Sequence, residues 1–432
     1  MKTIKNIFKN EQIFLIILLT VAFIIRLLYV IFISTLQAPP TGDGVDYDMI
    51  GMNIINGYGY SLYPGVPTSY RPPLYQFFLA GIYFCFGHSY AVVRIIQSLI
   101  GALTCLITYF MGKELFNKNI GMLSSLLLVF YPSAIYFCGQ IYTEGIFIFL
   151  LTISMFYAIK VYKKPSLKNQ IICGILIGLS ILTRPILLPF LPFIFIWCIL
   201  IFKQKKVAIM NFSIITLFIL LTLSPWTIRN YIVHHRFVPI ATLGGPSFFV
   251  CNNPFEKNGI WYMPNEAEWR QMGEKPPNMA TRPPSPYIST DFGAPLWWWK
   301  DLSEVENEKK HYRLAINWIK NHPQEFIKLC GKKLIRFWEW ETQSAAPIAQ
   351  KYKLINLLSY AILLPFMVIG LFFSFKEFKK FAIIYLLILQ FTLNTILFYG
   401  STRFRTPLDP YLLIFASIGI YRLYWIFQPS RK

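Results

Sequence analysis

The stretch TGDGVDYDMIGMNIINGYGYSLYPGVPTSYRPP, residues 41–73, is the one long polar interruption of a hydrophobic N-terminal half. Three carboxylates, those of Asp43, Asp46 and Asp48, follow the first hydrophobic segment, and the guanidinium of Arg71 precedes the next apolar run. A carboxylate can accept a proton and a guanidinium can bind an anion. These side chains, gathered at a membrane edge, are therefore a candidate reaction centre.

The composition of the chain is that of a membrane protein. Of its 432 residues, 55% are hydrophobic and 14% are charged, and the mean hydropathy is +0.48. The net charge of +21 lies largely in short lysine runs between apolar segments, where membrane topology and anionic lipid account for it. The seven cysteines form no CxxC pair. We expect a polytopic membrane protein that binds membrane lipids and no nucleic acid.

Hydropathy predicts about ten helical spans. They lie near residues 12–34, 89–112, 120–137, 142–162, 169–183, 185–202, 207–226, 353–375, 380–400 and 406–427. Residues 72–87 are also apolar, but these sixteen residues make a helix of about 24 Å against a hydrocarbon core of about 30 Å. The topology therefore depends on whether this segment crosses the membrane.

The basic turns of the chain answer that question. If residues 72–87 do not cross, the lysine-rich turns between later spans lie on the same side as the N-terminal lysines, as the positive-inside rule requires. We therefore expect this segment to lie along the outer membrane surface and the N terminus to be cytoplasmic. Three regions follow: residues 1–226 with a first loop at 35–88, a late loop at 227–352 and C-terminal spans at 353–432. Both loops would face outward.

Arginines near the outer ends of spans are a second signal, because membrane proteins usually place them on the other side. They are Arg71, Arg94, Arg184, Arg229, Arg403 and Arg405. Together they could bind a phosphate through charge-assisted hydrogen bonds. Alternatively, each could reach lipid headgroups or pair with a carboxylate. Glu144, at the start of a span, is either functional or the structural partner of one of these arginines.

Local sequence leaves two interpretations of Asp43. It could act as a general base for an acceptor hydroxyl. It could instead cap the helix that DYDMIGMNII predicts, with Asp46 three residues on as in a capping box. The pair His234-His235 lacks a third metal ligand at useful spacing, and the chain has no phosphate-binding loop, dinucleotide fingerprint or serine-hydrolase motif.

A set of motifs resembles the GT-C membrane glycosyltransferases, most closely the bacterial branch related to protein O-mannosyltransferases and lipid A aminoarabinose transferases. The set comprises D-x-x-x-Y at Asp43 and Tyr47, NIINGYGYS, RPPLYQFFLAGIYFCFG, VVRIIQSLIGALT, YPSAIYFCGQIYTE, LTRP, SPWTIRNY and STRFRTPLDPYLL. It covers most of the chain apart from residues 255–310. The resemblance implies an all-α polytopic fold with juxtamembrane helices in the first loop. It also implies sugar transfer from polyprenyl phosphate to an acceptor at the outer face of a bacterial plasma membrane.

The resemblance also implies residue roles. The family's essential aspartate falls on Asp43, spaced from Tyr47, and its lipid-phosphate-binding basic residue falls on Arg71. Its second-span arginine falls on Arg94, and the acid of its next outer turn falls on Glu144. We expect an inverting transfer in which polyprenyl phosphate leaves against the arginines. A divalent metal could bridge the phosphate and Asp43, but the arginines would make it dispensable, so we expect no cofactor. The alternative is a transporter or flippase of an anionic or lipid-linked substrate.

Overall fold

The fold is almost entirely helical. The structure, a computed structural model, describes residues 10–280, 296–299, 301–340, 357–398 and 400–427. Helix makes up 78% of it, and two short antiparallel strand pairs, β1–β2 and β3–β4, lie in the two loops. The predicted all-α polytopic class is confirmed. The basic N-terminal flank, residues 353–356 of a predicted span and the C-terminal QPSRK lie outside the described residues.

The elements are numbered in chain order. Before the late loop they are α1 Glu11–Tyr29, α2 Asp43–Ile55, β1 Ser61–Tyr63, β2 Val66–Pro67, α3 Leu74–Phe86, α4 Tyr90–Leu115, α5 Lys118–Val129, α6 Pro132–Gly139, α7 Glu144–Lys163, α8 Leu167–Thr183, α9 Leu191–Ile201 and α10 Lys205–His234. The late loop contains α11 Gly244–Val250, α12 Glu266–Gln271, β3 Asn278–Ala280, β4 Leu296–Trp298, α13 Glu304–Asn321 and α14 Pro323–Trp338. The C-terminal part contains α15 Ile362–Ser374, α16 Phe378–Leu397, α17 Thr402–Arg405 and α18 Asp409–Phe427.

The number of spans differs from the prediction. Over the described residues, six helical stretches are long and apolar enough to cross a membrane, or seven if the bent pair α5–α6 is one span. These two helices meet at 51° just before Pro132, and the predicted spans 353–375 and 380–400 join into one stretch, Ser359–Leu397. The predicted spans 169–183 and 185–202 are shorter apolar helical stretches, Leu167–Thr183 and Pro185–Ile201. The count of ten is not confirmed, because hydropathy detects apolar residues and does not fix where helices begin, break or end.

Helix α10 continues beyond the predicted end of its span. It runs through Pro225 to His234, so the predicted boundary at 226/227 falls inside a helix. The last turns are polar, but their side chains have partners: Asn230 Nδ2 donates to the carbonyls of Val238 and Ile240 at 3.2 and 3.1 Å. Those bonds fold the following chain back onto the helix. We call the part of the late loop beyond it, residues 236–340, the insert.

Helix α3 has the form predicted for residues 72–87. Its thirteen residues extend about 20 Å, too short for a hydrocarbon core of about 30 Å. It packs along α2, where an added Cβ on Gly51 would lie 3.2 Å from Leu79 Cβ. Phe84 and Phe86 remain exposed on it. This packing joins α2 and α3 into one layer, which places the acids of the first loop against the spans.

Candidate active site

Helix α2 begins at Asp43 itself. The residue before it, Gly42, is the N-cap and has φ +54°, a left-handed conformation that favours glycine. The N-cap therefore has no side chain to bond the helix. The interpretation of Asp43 as the helix cap, with Asp46 as its capping-box partner, is wrong, because both carboxylates are bound by arginines instead.

Asp43 lies between two guanidiniums. Its Oδ1 accepts from Arg71 Nη2 at 2.8 Å and its Oδ2 accepts from Arg403 Nη1 at 3.0 Å. Burial alone would raise the pKa of this carboxyl, but the two arginines outweigh burial and hold its pKa well below the usual range. The Asp43 side chain is nevertheless 29% exposed. It is therefore an ionised carboxylate that another molecule can reach.

Arg71 is shared between Asp43 and a second acid. Its Nε and Nη2 donate to Asp46 Oδ2 at 3.0 and 2.6 Å, and Asp46 is fully buried. The guanidinium also lies 5.3 and 5.0 Å from the ring centroids of Tyr47 and Tyr70, within cation–π range. Burial would lower the pKa of Arg71, but Asp43 and Asp46 raise it well above the usual range. Arg71 is a fixed cation, and predicted Tyr47 packs against it.

Glu144 and Arg184 continue this arrangement on the other side of Asp43. Glu144 is the first residue of α7 and is fully buried. Its Oε1 lies 2.6 Å from Arg184 Nη1, at the end of α8, and also accepts from Arg403 Nε. Arg403, in α17, therefore bridges Asp43 and Glu144. An acid and three arginines predicted separately from the sequence are thus in contact with Asp43 or with one another.

Six side chains form an alternating series, which we call the ion-pair chain. Its order is Asp46, Arg71, Asp43, Arg403, Glu144 and Arg184. The series contains three carboxylates and three guanidiniums, so its formal charges balance. The ion-pair chain joins α2, the segment between β2 and α3, α7, the end of α8 and α17. Its charge balance implies that an added anion must compete with a carboxylate for a guanidinium.

Arg94 serves a different purpose. Its guanidinium donates to the carbonyls of Leu36, Ala38 and Gly139 at 2.7, 2.7 and 2.8 Å. These bonds satisfy backbone carbonyls at the start of the first loop, after α1, and at the end of α6. Arg94 lies outside the ion-pair chain and holds these two chain segments together.

Arg229 and Arg405 also bind backbone. Arg229 Nη1 donates to the Thr68 carbonyl at 2.7 Å and Nη2 donates to the Tyr60 carbonyl at 3.1 Å. Arg405 Nη1 donates to the carbonyls of Phe337 and Glu339 at 3.2 and 2.6 Å. Three of the six predicted arginines therefore fix loops, and the other three belong to the ion-pair chain.

The third acid of the opening stretch anchors α2. Asp48 is buried and accepts from the hydroxyls of Tyr83 and Tyr90 at 2.6 and 3.0 Å, and its Oδ1 lies 2.9 Å from His88 Nε2. These partners lie on α3, at the start of α4 and between the two helices. Asp48 is thus a packing residue whose partners differ from Arg71, the arginine that Asp43 and Asp46 share.

Sequence reasoning undervalued Asp46 and did not consider Tyr142. Asp43 and Asp46 are three residues apart in a helix, so their side chains share one face. That spacing could have indicated a common cation. Tyr142, whose ring centroid lies 4.5 Å from the Arg403 guanidinium, is an aromatic residue among many, and nothing in its local sequence distinguishes it.

The described residues contain no group of three or more His, Cys, Asp or Glu side chains placed to hold a metal ion. His234 Nε2 lies 2.8 Å from Ser69 Oγ in the first loop, and His235 ends α10 with φ +49°. His234 therefore joins α10 to the first loop.

The fold and part of the sequence match known proteins. Residues 70–228, which include Arg71, Glu144 and Arg184, match the family described as dolichyl-phosphate-mannose-protein mannosyltransferase. The crystal structure of the Archaeoglobus fulgidus oligosaccharyltransferase in the apo form matches with a TM-score of 0.57 and 12% identity, covering 97% of this chain and 52% of that one. The chain has the GT-C fold. The fold implied by the resemblance to GT-C proteins is thus confirmed.

Two further GT-C structures are similar. The archaeal oligosaccharyltransferase AglB from A. fulgidus, in complex with an inhibitory peptide and a dolichol-phosphate, gives a TM-score of 0.54 at 13% identity, over 98% of this chain and 53% of that one. ArnT from Cupriavidus metallidurans bound to undecaprenyl phosphate gives 0.46 at 12% identity, over 97% and 80%. This chain spans about half the length of the oligosaccharyltransferases. No curated protein matches it.

Proposed function

We propose that this protein is a glycosyltransferase. It moves a sugar from a polyprenyl-phosphate-linked donor to a cell-envelope lipid, glycan or protein at the outer face of the plasma membrane, with inversion. The observation that carries the proposal is Asp43, an accessible carboxylate held between Arg71 and Arg403. A proton acceptor thus lies beside two cations suited to phosphate. The mannosyltransferase match and the dolichol-phosphate bound to AglB support a lipid-phosphate donor.

The proposed reaction is a single displacement. An acceptor hydroxyl or amine gives its proton to Asp43, its oxygen or nitrogen bonds to the anomeric carbon, and the bond from that carbon to the phosphate oxygen breaks. Polyprenyl phosphate leaves with the electron pair of that bond. A guanidinium facing the phosphate stabilises the charge that develops there, and a carboxylate near the sugar ring stabilises an oxocarbenium-like transition state.

Donor binding should release Asp43 from one of its arginines. With both in place, the lowered pKa makes Asp43 a weak base, and a general base works best with a pKa near the operating pH. Arg403 is the better candidate to turn toward phosphate, because its side chain is 29% exposed against 6% for Arg71. Each arginine has a second ion pair besides that with Asp43: Arg71 with Asp46, and Arg403 with Glu144. Losing one cation raises the pKa of Asp43 toward its working range.

An apolar cavity beside Arg71 suits the lipid chain of the donor. Its volume is about 490 Å³, and its lining includes Tyr60, Pro73, Leu74, Phe77 and Trp226. Tyr60 joins it to the ion-pair chain, since its hydroxyl donates to the carbonyl of Arg71 at 2.8 Å. The lining also includes Arg229, and apolar walls with a few polar groups fit a hydrocarbon that carries a phosphate. The first isoprene units would occupy this cavity.

The decisive experiment is a turnover assay on purified protein. A labelled polyprenyl-phosphate sugar is supplied with cell-envelope extract, and release of polyprenyl phosphate is measured for wild type, Asp43→Asn and the matched control Asp301→Asn, an exposed acid of the insert. We expect wild type and the control to release product and Asp43→Asn to lose nearly all activity. Normal turnover by Asp43→Asn would overturn the assignment of the base. Movement of intact donor across vesicles without cleavage would favour the transporter alternative.

The orientation needs its own test. Asn119, exposed at the start of α5, is replaced by cysteine in a background without exposed Cys85 and partly exposed Cys330. We expect an impermeant thiol reagent to label it only from the cytoplasmic side. Labelling from outside would mean that the ion-pair chain faces the cytoplasm.

A further inference from the structure

The insert holds the segment that leads to Arg71. Glu304, the first residue of α13, accepts from Thr68 Oγ1 at 2.8 Å and from the Ser69 backbone N–H at 2.9 Å. Thr242 completes this contact: its N–H donates to the Ser69 carbonyl at 3.0 Å and its hydroxyl donates to Glu304. Residues 68 and 69 are therefore fixed by a carboxylate and a backbone bond, two residues before Arg71.

The insert also holds the segment that leads to Arg403. Lys333 of α14 is fully buried, and its Nζ donates to Asn252 Oδ1 at 2.8 Å and to the Leu397 carbonyl at 3.4 Å. The Gly400 N–H donates to the Gly259 carbonyl at 3.0 Å. A side chain at Gly400 would overlap the Lys333 carbonyl, so this approach needs glycine. Both contacts lie within six residues of Arg403.

These contacts add to those from the spans, since Arg229 and His234 of α10 also bind residues 68 and 69. Arg71 lies in the loop between β2 and α3, and Arg403 follows the connection between α16 and α17. A loop takes its position from the groups that bind its backbone. For both arginines, charged side chains of the insert are among those groups. A phosphate that contacts both arginines requires a fixed distance between them.

We infer that the insert positions Arg71 through Glu304 and Arg403 through Lys333, and thereby sets the spacing of a two-arginine phosphate site. Glu304 and Lys333 are positioning residues, since neither is part of the ion-pair chain. The inference rests on the proposed function in one respect: it takes both arginines as ligands of the lipid phosphate. It extends that function by making the insert part of the donor site, so that a molecule bound to the insert can change donor affinity.

The test is binding of polyprenyl phosphate, the product, to purified protein, which does not depend on turnover. The variants are Glu304→Gln and Lys333→Met. The matched controls are Glu325→Gln and Lys328→Met, both exposed on α14. Thr68→Val, which removes one hydrogen bond to Glu304, is a milder variant if Glu304→Gln does not fold. Unfolding transitions of all variants are recorded in parallel.

We expect the dissociation constant to rise roughly ten- to a hundred-fold in the positioning variants, the size of effect that a displacement of about 1 Å produces, and to stay constant in the controls. In turnover, the donor KM should rise. A purely structural loss reduces the folded fraction and so lowers kcat without moving KM or the affinity per folded molecule. Unchanged affinity in both positioning variants, or no binding by wild type, overturns the inference. Weakened binding without any turnover would leave it standing and would contradict the proposed function.

Discussion

Neutralising two carboxylates of the ion-pair chain should have opposite consequences. Glu144 is fully buried between Arg184 and Arg403, so Glu144→Gln leaves buried guanidinium charge uncompensated, and we expect unfolding free energy to fall by about 3–5 kcal/mol. Asp43 is 29% exposed, and without its charge Arg71 is still paired with Asp46 and Arg403 with Glu144. Asp43→Asn should therefore lose only about 1 kcal/mol, while turnover should fall roughly 10²- to 10⁴-fold through loss of the general base.

The assay combines denaturant unfolding in detergent with release of polyprenyl phosphate. The pH dependence supplies an internal check. Because the folded-state pKa of Asp43 is lowered, its contribution is present above the unfolded pKa of about 3.9 and is lost as pH falls further. The difference between wild type and Asp43→Asn should therefore be largest at neutral pH. If Asp43→Asn unfolds as readily as Glu144→Gln, or Glu144→Gln is as stable as wild type, the reasoning from burial is refuted.

Other predictions concern stability, measured by unfolding transitions. Gly370→Ala should destabilise the α15–α18 contact, because the new Cβ would overlap the Phe415 carbonyl, whereas Gly331→Ala enters open space on α14 and should be neutral or stabilise by up to about 1 kcal/mol. Arg26→Leu should lower the free energy of unfolding by roughly 2–5 kcal/mol, since this buried guanidinium donates to carbonyls at the α5–α6 break. If the variant were as stable as wild type, that role of Arg26 would be contradicted. Burial raises the pKa of Glu308 to about 7. The folded state therefore binds this proton more tightly than the unfolded state, and the free energy of unfolding falls as pH rises from about 4.5 to about 7. Glu308→Gln should make this decrease smaller.

Much of the fold could be predicted because hydropathy and turns report on individual segments. The exceptions are the number of spans and the positions of helix ends. Arg229, Asn230 and His234 suggested a loop after residue 226, yet they are the last turns of α10, since the first loop and the insert bind their polar groups. Residues 72–87 were predicted to form a short helix, and α3 is one, because the length of an apolar run is a property of the segment alone. That α3 lies along the outer membrane surface stays a prediction.

For the site, too, single residues could be predicted but the contacts between them could not. Asp43, Arg71, Glu144, Arg184 and Arg403 could each be singled out, because charges beside apolar segments are conspicuous. Their pairing could not be predicted: the hydrogen bond between Arg403 and Asp43 joins residues 360 positions apart. The sequence offered Glu144 as a partner of one of the arginines, and the structure pairs it with Arg184 and Arg403. Which arginines bind carboxylates and which bind carbonyls depends on how the loops fold over the spans, and that is a property of the whole chain.

The charge balance of the ion-pair chain bears on how a carboxylate with a lowered pKa can serve as a base. In the proposed transfer, the donor diester carries one negative charge and the released monoester carries up to two. One unit of negative charge therefore moves from Asp43, which gains a proton, to the phosphate, which leaves. Arg71 and Arg403 hold that charge at Asp43 before the donor binds. In the proposed transfer, Arg403 turns to the donor phosphate, and both guanidiniums face the phosphate as it leaves. The same guanidiniums thus stabilise the negative charge on Asp43 at the start and on the phosphate at the end. The stabilisation that lowers the pKa of Asp43 is therefore regained at the leaving group as the bond breaks.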